Sequence, residues 1–171
     1  RDTLRQVPNS DPTTGSTAQN TGRVTGRGVE LEFSWRADPD LKFGGYYAYQ
    51  FSRDEETGHA PGNTPRQTAY LRVDWRLAEH LVMTPRISWV ADRSREPARP
   101  NETPDTRAPV SDYVLLDLTL RAEKAIKDLD LALTVRNLAD AKAYEPSPSP
   151  GLVDDFPLPG RTWLLSGTLH F

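Results

Sequence analysis

The chain of 171 residues contains no cysteine and a single methionine. Without thiols, disulfides, Cys-ligated zinc sites and a Cys nucleophile are all excluded. Histidine is scarce as well: His59, His80 and His170 lie far apart in sequence. They form no triad and no ligand cluster, so catalytic residues, a metal site and a cofactor are not expected. A basic surplus is also missing. Lys and Arg number 21 against 24 Asp and Glu, a net charge of -3, whereas nucleic-acid binders carry a basic face. No apolar run approaches the roughly 18 residues of a membrane helix. Apolar residues reach only 36% and mean hydropathy is -0.64, well short of the near-half found in ordinary soluble domains. That shortage leaves two readings, a partly disordered chain or strands that are apolar on one side only.

Periodicity decides for strands. Seven segments place apolar residues at every second position. The first reads Val29-Glu-Leu31-Glu-Phe33-Ser-Trp35-Arg36, and the second aligns Leu41, Phe43, Gly45, Tyr47, Tyr49 and Phe51. The third runs from Ala69 through Trp75 to Leu77, and the fourth from Leu81 through Trp89 to Ala91. The fifth covers Val114 to Ala122, the sixth Leu129 to Val135 and the seventh Trp163 to Phe171. None of these apolar-face positions holds a charged residue, although 26% of the chain is charged. The intervening positions carry Glu30, Glu32, Arg36, Lys42, Arg72, Asp74, Arg76, Arg86, Asp117, Arg121, Glu123, Asp130 and Arg136. A helix would need apolar recurrence at i+3 and i+4, which is absent. Pro85 interrupts the fourth segment and predicts a bulge there. Leu115, Leu164 and Val82 fall on the polar side and are read as local contacts.

The links alternate in length. Those at Ala37–Asp40, Ala78–His80 and Lys124–Asp128 are tight, while Arg53–Thr64, Arg93–Ser111 and Leu138–Gly160 are long and hold most of the 15 prolines. Every tight turn therefore falls at one end of the sheet and every long loop at the other. Outer-membrane β-barrels have this asymmetry, with short periplasmic turns and long extracellular loops. A soluble sandwich gives no reason for links to sort by end. Residues 1–26, rich in Thr, Asn, Ser, Gly and Pro, read as a further extracellular loop, with Asp2–Val7 as the end of a preceding strand. Residues 27–171 carry the barrel strands. The run Glu145-Pro-Ser-Pro-Ser-Pro150 favours polyproline II and stiffens the last long loop.

All four Trp fall on the uncharged face. Strand direction puts Trp35 and Trp75 near the tight turns, and Trp89, Trp163, Tyr47, Tyr49 and Phe51 near the long loops. Indole and phenol rings favour a membrane–water boundary, and two such tiers flank the apolar band of a barrel wall. Trp163 to Phe171 spans roughly 26 Å of strand, or about 20 Å along the membrane normal at a tilt of about 40°.

Several stretches resemble TonB-dependent outer-membrane receptors. They are Asn20-Thr-Gly-Arg-Val-Thr-Gly-Arg-Gly-Val-Glu-Leu-Glu32, Ala48-Tyr49-Gln50 with Asn63-Thr-Pro-Arg66, and Leu71-Arg-Val-Asp-Trp75. The same holds for Val135-Arg-Asn-Leu138, for Phe156-Pro-Leu-Pro-Gly-Arg161 and for the terminal Leu169-His-Phe171. The resemblance implies import of a scarce nutrient, most often a ferric siderophore and sometimes cobalamin or a sugar. It implies as partners the outer-membrane bilayer, a plug domain with further N-terminal strands, and the TonB complex. It also makes Phe171 a signal to the barrel-assembly machinery. Plugged transporters close with 22 strands, so the chain is expected to be the C-terminal part of a larger barrel or one chain of a split one.

Site residues are fewer. Arg99 and Arg107, in a long loop, are candidates to meet an anionic siderophore. Asp54-Glu55-Glu56 and Asp154-Asp155 offer carboxylates of the kind Ca²⁺ takes, against the plainer reading of solvated acidic loops. Two other architectures stay open at this point. One is a freestanding eight-strand barrel completed by Asp2–Val7, and the other is a soluble β-sandwich.

Overall fold

A computed structural model of the chain describes residues 2–8, 15–55, 57–95, 104–147 and 154–170. Ten strands and no helix occur among them: β1 (Asp2–Pro8), β2 (Ser16–Asp38), β3 (Leu41–Asp54), β4 (Pro65–Ala78), β5 (Leu81–Arg93), β6 (Tyr113–Ile126), β7 (Leu129–Arg136), β8 (Tyr144–Glu145), β9 (Phe156–Pro157) and β10 (Thr162–Leu169). Eight form one antiparallel sheet in the order β1-β2-β3-β4-β5-β6-β7-β10, and β8 pairs with β9 apart from it. The meander follows from the links. Two-residue turns at Pro39-Asp40, Glu79-His80 and Lys127-Asp128 can only join antiparallel neighbours.

Directly opposed residues share a face, and the pairing keeps the apolar set together across the sheet. Leu31 opposes Tyr47, Tyr47 opposes Ala69, Ala69 opposes Trp89 and Trp89 opposes Val114. Further along, Leu120 opposes Leu133, which opposes Leu165. Phe33 lies over Gly45: a Cβ on that glycine would stand 3.0 Å from the Phe33 ring and 2.4 Å from the Tyr70 carbonyl oxygen.

That apolar face is uncovered. Val29, Leu31, Phe33, Trp75, Ile87, Val114 and Leu169 are all exposed, and Leu165 is 73% exposed. The buried apolar residues are Val82, Ala91, Val110, Val135 and Ala143, too few and too scattered for a core between two layers. No second sheet packs on the face among the described residues, which rules out the sandwich. The eight-strand sheet is not closed either, since β10 pairs only with β7. On the other side, β2 pairs with β1 over Ser16–Arg23 only, and its remainder meets β3 alone. The freestanding barrel is therefore not what this chain forms.

Three expectations need correction. Residues 16–26, read as loop in the sequence, are strand: they form the first part of β2, and β1 pairs with Ser16–Arg23. This segment gives no apolar alternation because an extension beyond the bilayer needs no apolar face. Strands of 13 or 14 residues such as β3 to β6 exceed the roughly 9–11 that cross a bilayer. Pro85 makes no bulge: the ladder to β4 skips two levels, those of Pro85 and Thr84, but the register at Arg72–Arg86 and Trp75–Met83 is unshifted. The register shifts of β2 to β7 sit instead beside the tight turns, at Arg36/Asp38, Arg76/Ala78 and Ala122/Ile126. Of the three polar-side apolar residues, Val82 is buried, whereas Leu164 is exposed on the free edge of β10.

The last strand is held by a clasp at its outer end. Asn137, in the left-handed region at φ 48, is buried. Its Nδ2 donates to the carbonyls of Ala141 (3.0 Å) and Pro159 (3.2 Å), its Oδ1 accepts from Ala141 N–H (2.8 Å), and its own N–H donates to Asp117 (2.9 Å). Asp140 accepts the Arg161 N–H at 2.9 Å. A Cβ at Gly160 would lie 2.9 Å from that carboxylate, so any larger residue would have to push the Asp140 side chain aside. Two of the motifs that carry the family resemblance thus meet and bind each other. Replacing Asn137 by Ala orphans buried polar groups at about 1–3 kcal/mol. We expect a lower urea midpoint for the intact protein, with Ala139→Ser on the same turn nearly neutral.

Candidate functional site

Three groups of residues carry functional potential: the outward aromatics, the charged face behind them, and the outer loops. On the apolar face Trp35 stacks on Phe43 at 5.4 Å, and Leu41 opposes Trp75. These rings form a tier beside the tight turns. Tyr47, Tyr49, Phe51, Trp89 and Trp163 lie toward the loop end. Trp35 and Trp163 are 61% and 64% exposed. The Tyr47 hydroxyl donates to Gln67 Oε1 at 2.8 Å, so its polar end is satisfied while its ring stays on the apolar side. Phe51 lies beneath two guanidiniums, with Arg27 at 5.7 Å and Arg66 at 5.4 Å from the ring centre.

On the opposite face the charges pair laterally. Arg72 grips Asp74 with Nε at 3.0 Å and Nη2 at 2.8 Å, and Thr84 donates to the same carboxylate at 2.9 Å. Glu123 accepts from Arg76 at 2.9 Å and from Arg121 at 2.8 Å. Yet Arg36 opposes Lys42, and Arg72 opposes Arg86, whose Nε is buried without a partner. Lys42 and Arg86 each face a carboxylate on their other neighbour, Asp74 and Asp117, which offsets the repulsion between like charges. Tyr46 and Tyr70 stack at 5.9 Å on this face. The apolar alternation gave no sign of them, because they occupy the polar positions.

The outer loops are tied by arginines. Asp92 adopts φ 56, and the Arg93 side chain that follows is wholly buried. Arg93 donates to the carbonyls of Tyr144 (2.8 Å) and Ser111 (2.6 Å) and to Glu145 (3.1 Å), and lies 4.7 Å over the Tyr113 ring. Arg95 holds both oxygens of Asp155, at 2.7 and 2.8 Å. Arg107 binds Asp105 through Nε at 2.9 Å and reaches the Ser147 hydroxyl. The Arg95 hydrogen bonds hold Asp155 at about 2, and those of Arg107 hold Asp105 at about 2. The same bonds raise both guanidiniums above their ordinary value.

Several candidate residues are thereby placed. The Arg107 guanidinium is engaged by protein groups, and Arg99 and Phe171 lie outside the described residues. Asp155 is taken by Arg95 and is not free for Ca²⁺. Asp54 is buried and accepts the Thr57 N–H at 3.4 Å, closing its turn, while Glu56 lies outside the described residues. No group of three or more potential metal ligands occurs among the described residues. His80 sits beside Glu79 in a turn, and His170 is 3.2 Å from Asp130. Arg93 and Arg95 were not singled out in sequence, since their partners lie 13 to 60 residues away without any repeating pattern.

The family described as TonB dependent receptor-like, beta-barrel matches residues 1–138. Among solved structures the chain is similar to the ferric-catecholate import receptor Fiu of E. coli K12, with TM-score 0.74 and 19% identity over 99% of this chain and 23% of that one. It is similar to the ferric enterobactin receptor PfeA of Pseudomonas aeruginosa, with TM-score 0.75 and 22% identity over 90% of this chain and 23% of that one. The copper transporter OprC matches at TM-score 0.70 and 19% identity, over 92% of this chain and 25% of that one. The chain thus spans about a quarter of the length of these structures. No curated protein matches it.

The loop clasp has a pH dependence. Asp155 and Asp105 titrate below the ordinary carboxylate value of about 3.9, so their pairing is fully stabilising above about pH 4 and is lost as pH falls through about 2. Amide protection factors in residues 104–112 and 154–158, taken relative to the unfolded-chain exchange rate at each pH, are expected to hold from pH 7 to about pH 4.5 and to fall toward pH 2. Asp155→Asn is expected to show the lowered protection factors already at pH 7.

Proposed function

The chain belongs to the TonB-dependent receptor-like β-barrel family, and from that premise we propose that it forms the C-terminal part of the barrel wall of an import receptor whose cargo is a ferric siderophore. The protein is an outer-membrane protein, and its sheet is an unclosed portion of a β-barrel. The observation that carries the transport reading is the pairing of an uncovered apolar face with a charged face behind it, as a wall between lipid and a wet lumen requires.

In this reading Trp35 and Trp75 lie at the periplasmic boundary, and Trp89, Trp163, Tyr47, Tyr49 and Phe51 at the outer one. The charged face, with Arg36, Lys42 and Arg86 on it, faces a plug domain. The free edges of β2 and β10 pair with further barrel strands, because an open edge is not tolerated in lipid. Energy arrives through the TonB complex acting on the plug. Phe171 serves the barrel-assembly machinery, and Arg99 and Arg107 border the path of an anionic cargo. The activity proposed is transport, not catalysis.

Two of the similar structures are receptors for ferric catecholates or ferric enterobactin, which supports a siderophore. The similarity to a copper transporter favours a second reading, uptake of a metal without a siderophore. Radiolabelled iron and copper separate them in a strain deleted for the intact receptor and complemented with it. We expect restored uptake of ⁵⁵Fe presented on a panel of catecholate and hydroxamate siderophores, and none of ⁶⁴Cu. Copper uptake alone would favour the second reading, and restoration of neither would refute import of these cargoes.

A further inference from the structure

The outward positions of β2 and β3 carry cations at the loop end. Near the tight turns Arg36, Arg76 and Arg121 occupy charged-face positions, and the apolar face there presents Trp35, Phe43 and Trp75. At the loop end the pattern changes. Arg27 opposes Phe51 and Arg53 opposes Thr25, at positions that continue the apolar alternation of β2 and β3. Arg66 joins them by placing its guanidinium over the same Phe51 ring. None of the three pairs with a carboxylate among the described residues. Glu55 is nearby in sequence but makes no ion pair with them, and Asp92 accepts from Gln67. Arg27 and Arg53 are exposed.

Cations on a lipid-facing wall are costly at mid-bilayer and favourable where headgroups begin. These three stand just outside the tier of Tyr49 and Trp89, where the apolar positions end. A guanidinium matches a phosphate with two parallel hydrogen bonds, and stacking on Phe51 restrains Arg27 and Arg66 while leaving their N–H edges available. We propose that Arg27 and Arg66, over the Phe51 ring, together with Arg53, the next outward position on β3 with its guanidinium beside Gly58, bind the phosphorylated headgroup of an outer-leaflet lipid. The site anchors the wall at its outer rim and fixes its depth. This assignment rests on the outward face meeting lipid and is independent of the cargo.

A photo-cross-linking residue, p-benzoylphenylalanine, at Thr25 in the intact receptor reads the site directly. In vesicles of phosphatidylethanolamine containing diphosphoryl lipid A, we expect a cross-link to lipid A. The yield should fall at least ten-fold with dephosphorylated lipid A, or when Arg27, Arg53 and Arg66 are all changed to Gln. Changing all three to Lys keeps the charge but loses the two-pronged hydrogen bonding and the stacking, so the yield should fall between those of the native and Gln forms, and heat-modifiable gel mobility reports that each variant is folded. Equal yields from the Gln variant, or from dephosphorylated lipid A, would overturn the proposal. So would loss of the cross-link on adding millimolar inorganic phosphate, which would mark a site for soluble anions. Absence of any lipid cross-link would overturn it together with the lipid-facing orientation, leaving the cargo question untouched.

Discussion

Residues opposed across an antiparallel ladder share a face, so a slip of one position on any strand carries its whole side-chain set to the other side. In this sheet such a slip would set Arg72, Asp74 or Asp117 among Leu and Trp. The register from β2 to β10 is therefore over-determined, because each strand has an apolar set that matches its neighbours in only one parity. The shifts that do occur in it lie beside the tight turns, where strands end and no apolar face remains to be matched. At Pro85 and Thr84 two levels of the ladder to β4 are lost, yet the parity on both sides holds the register through the gap.

From that single constraint the rest follows. One face becomes continuously apolar and has no layer to cover it, so it needs lipid as its solvent. The other collects the charges, which pair along and across the strands: Asp74 takes Arg72 and faces Lys42, and Asp117 faces Arg86. At the outer end, where the strands run past the membrane, polar interactions take over. Arg93, Arg95 and Arg107 stitch the loops together, and Asn137, Asp140 and Gly160 bind the last two long strands of the meander to each other. These contacts are local in space but remote in sequence, and they use hydrogen bonds that water would otherwise satisfy.

How much was legible in sequence tracks this division. Period two exposed all seven long strands, the two faces and the aromatic tiers, because burial in lipid demands an uninterrupted apolar parity. The first part of β2 was hidden because it lies beyond that demand, and Thr17 to Gly26 carry no parity to read. The polar-face tyrosines Tyr46 and Tyr70 were hidden for the complementary reason. Arg107 was noticed as a loop cation, but its engagement by Asp105 and Ser147 depends on a fold that places residues 107 and 147 together. The motifs at Val135–Leu138 and Phe156–Arg161 were recognisable as patterns, while their mutual clasp was not.

The central claim is that one face meets lipid and the other meets water. The chain has no native cysteine, so single cysteines from Leu115 to Leu120 can each carry a spin label in the intact receptor, reconstituted in bilayers. Collision rates with oxygen, which partitions into lipid, and with a water-soluble nickel chelate should alternate with period two. Oxygen should dominate at Leu116, Leu118 and Leu120, and the chelate at Leu115, Asp117 and Thr119. A profile without alternation, or one in which the chelate reaches Leu118 as readily as Asp117, would contradict the account.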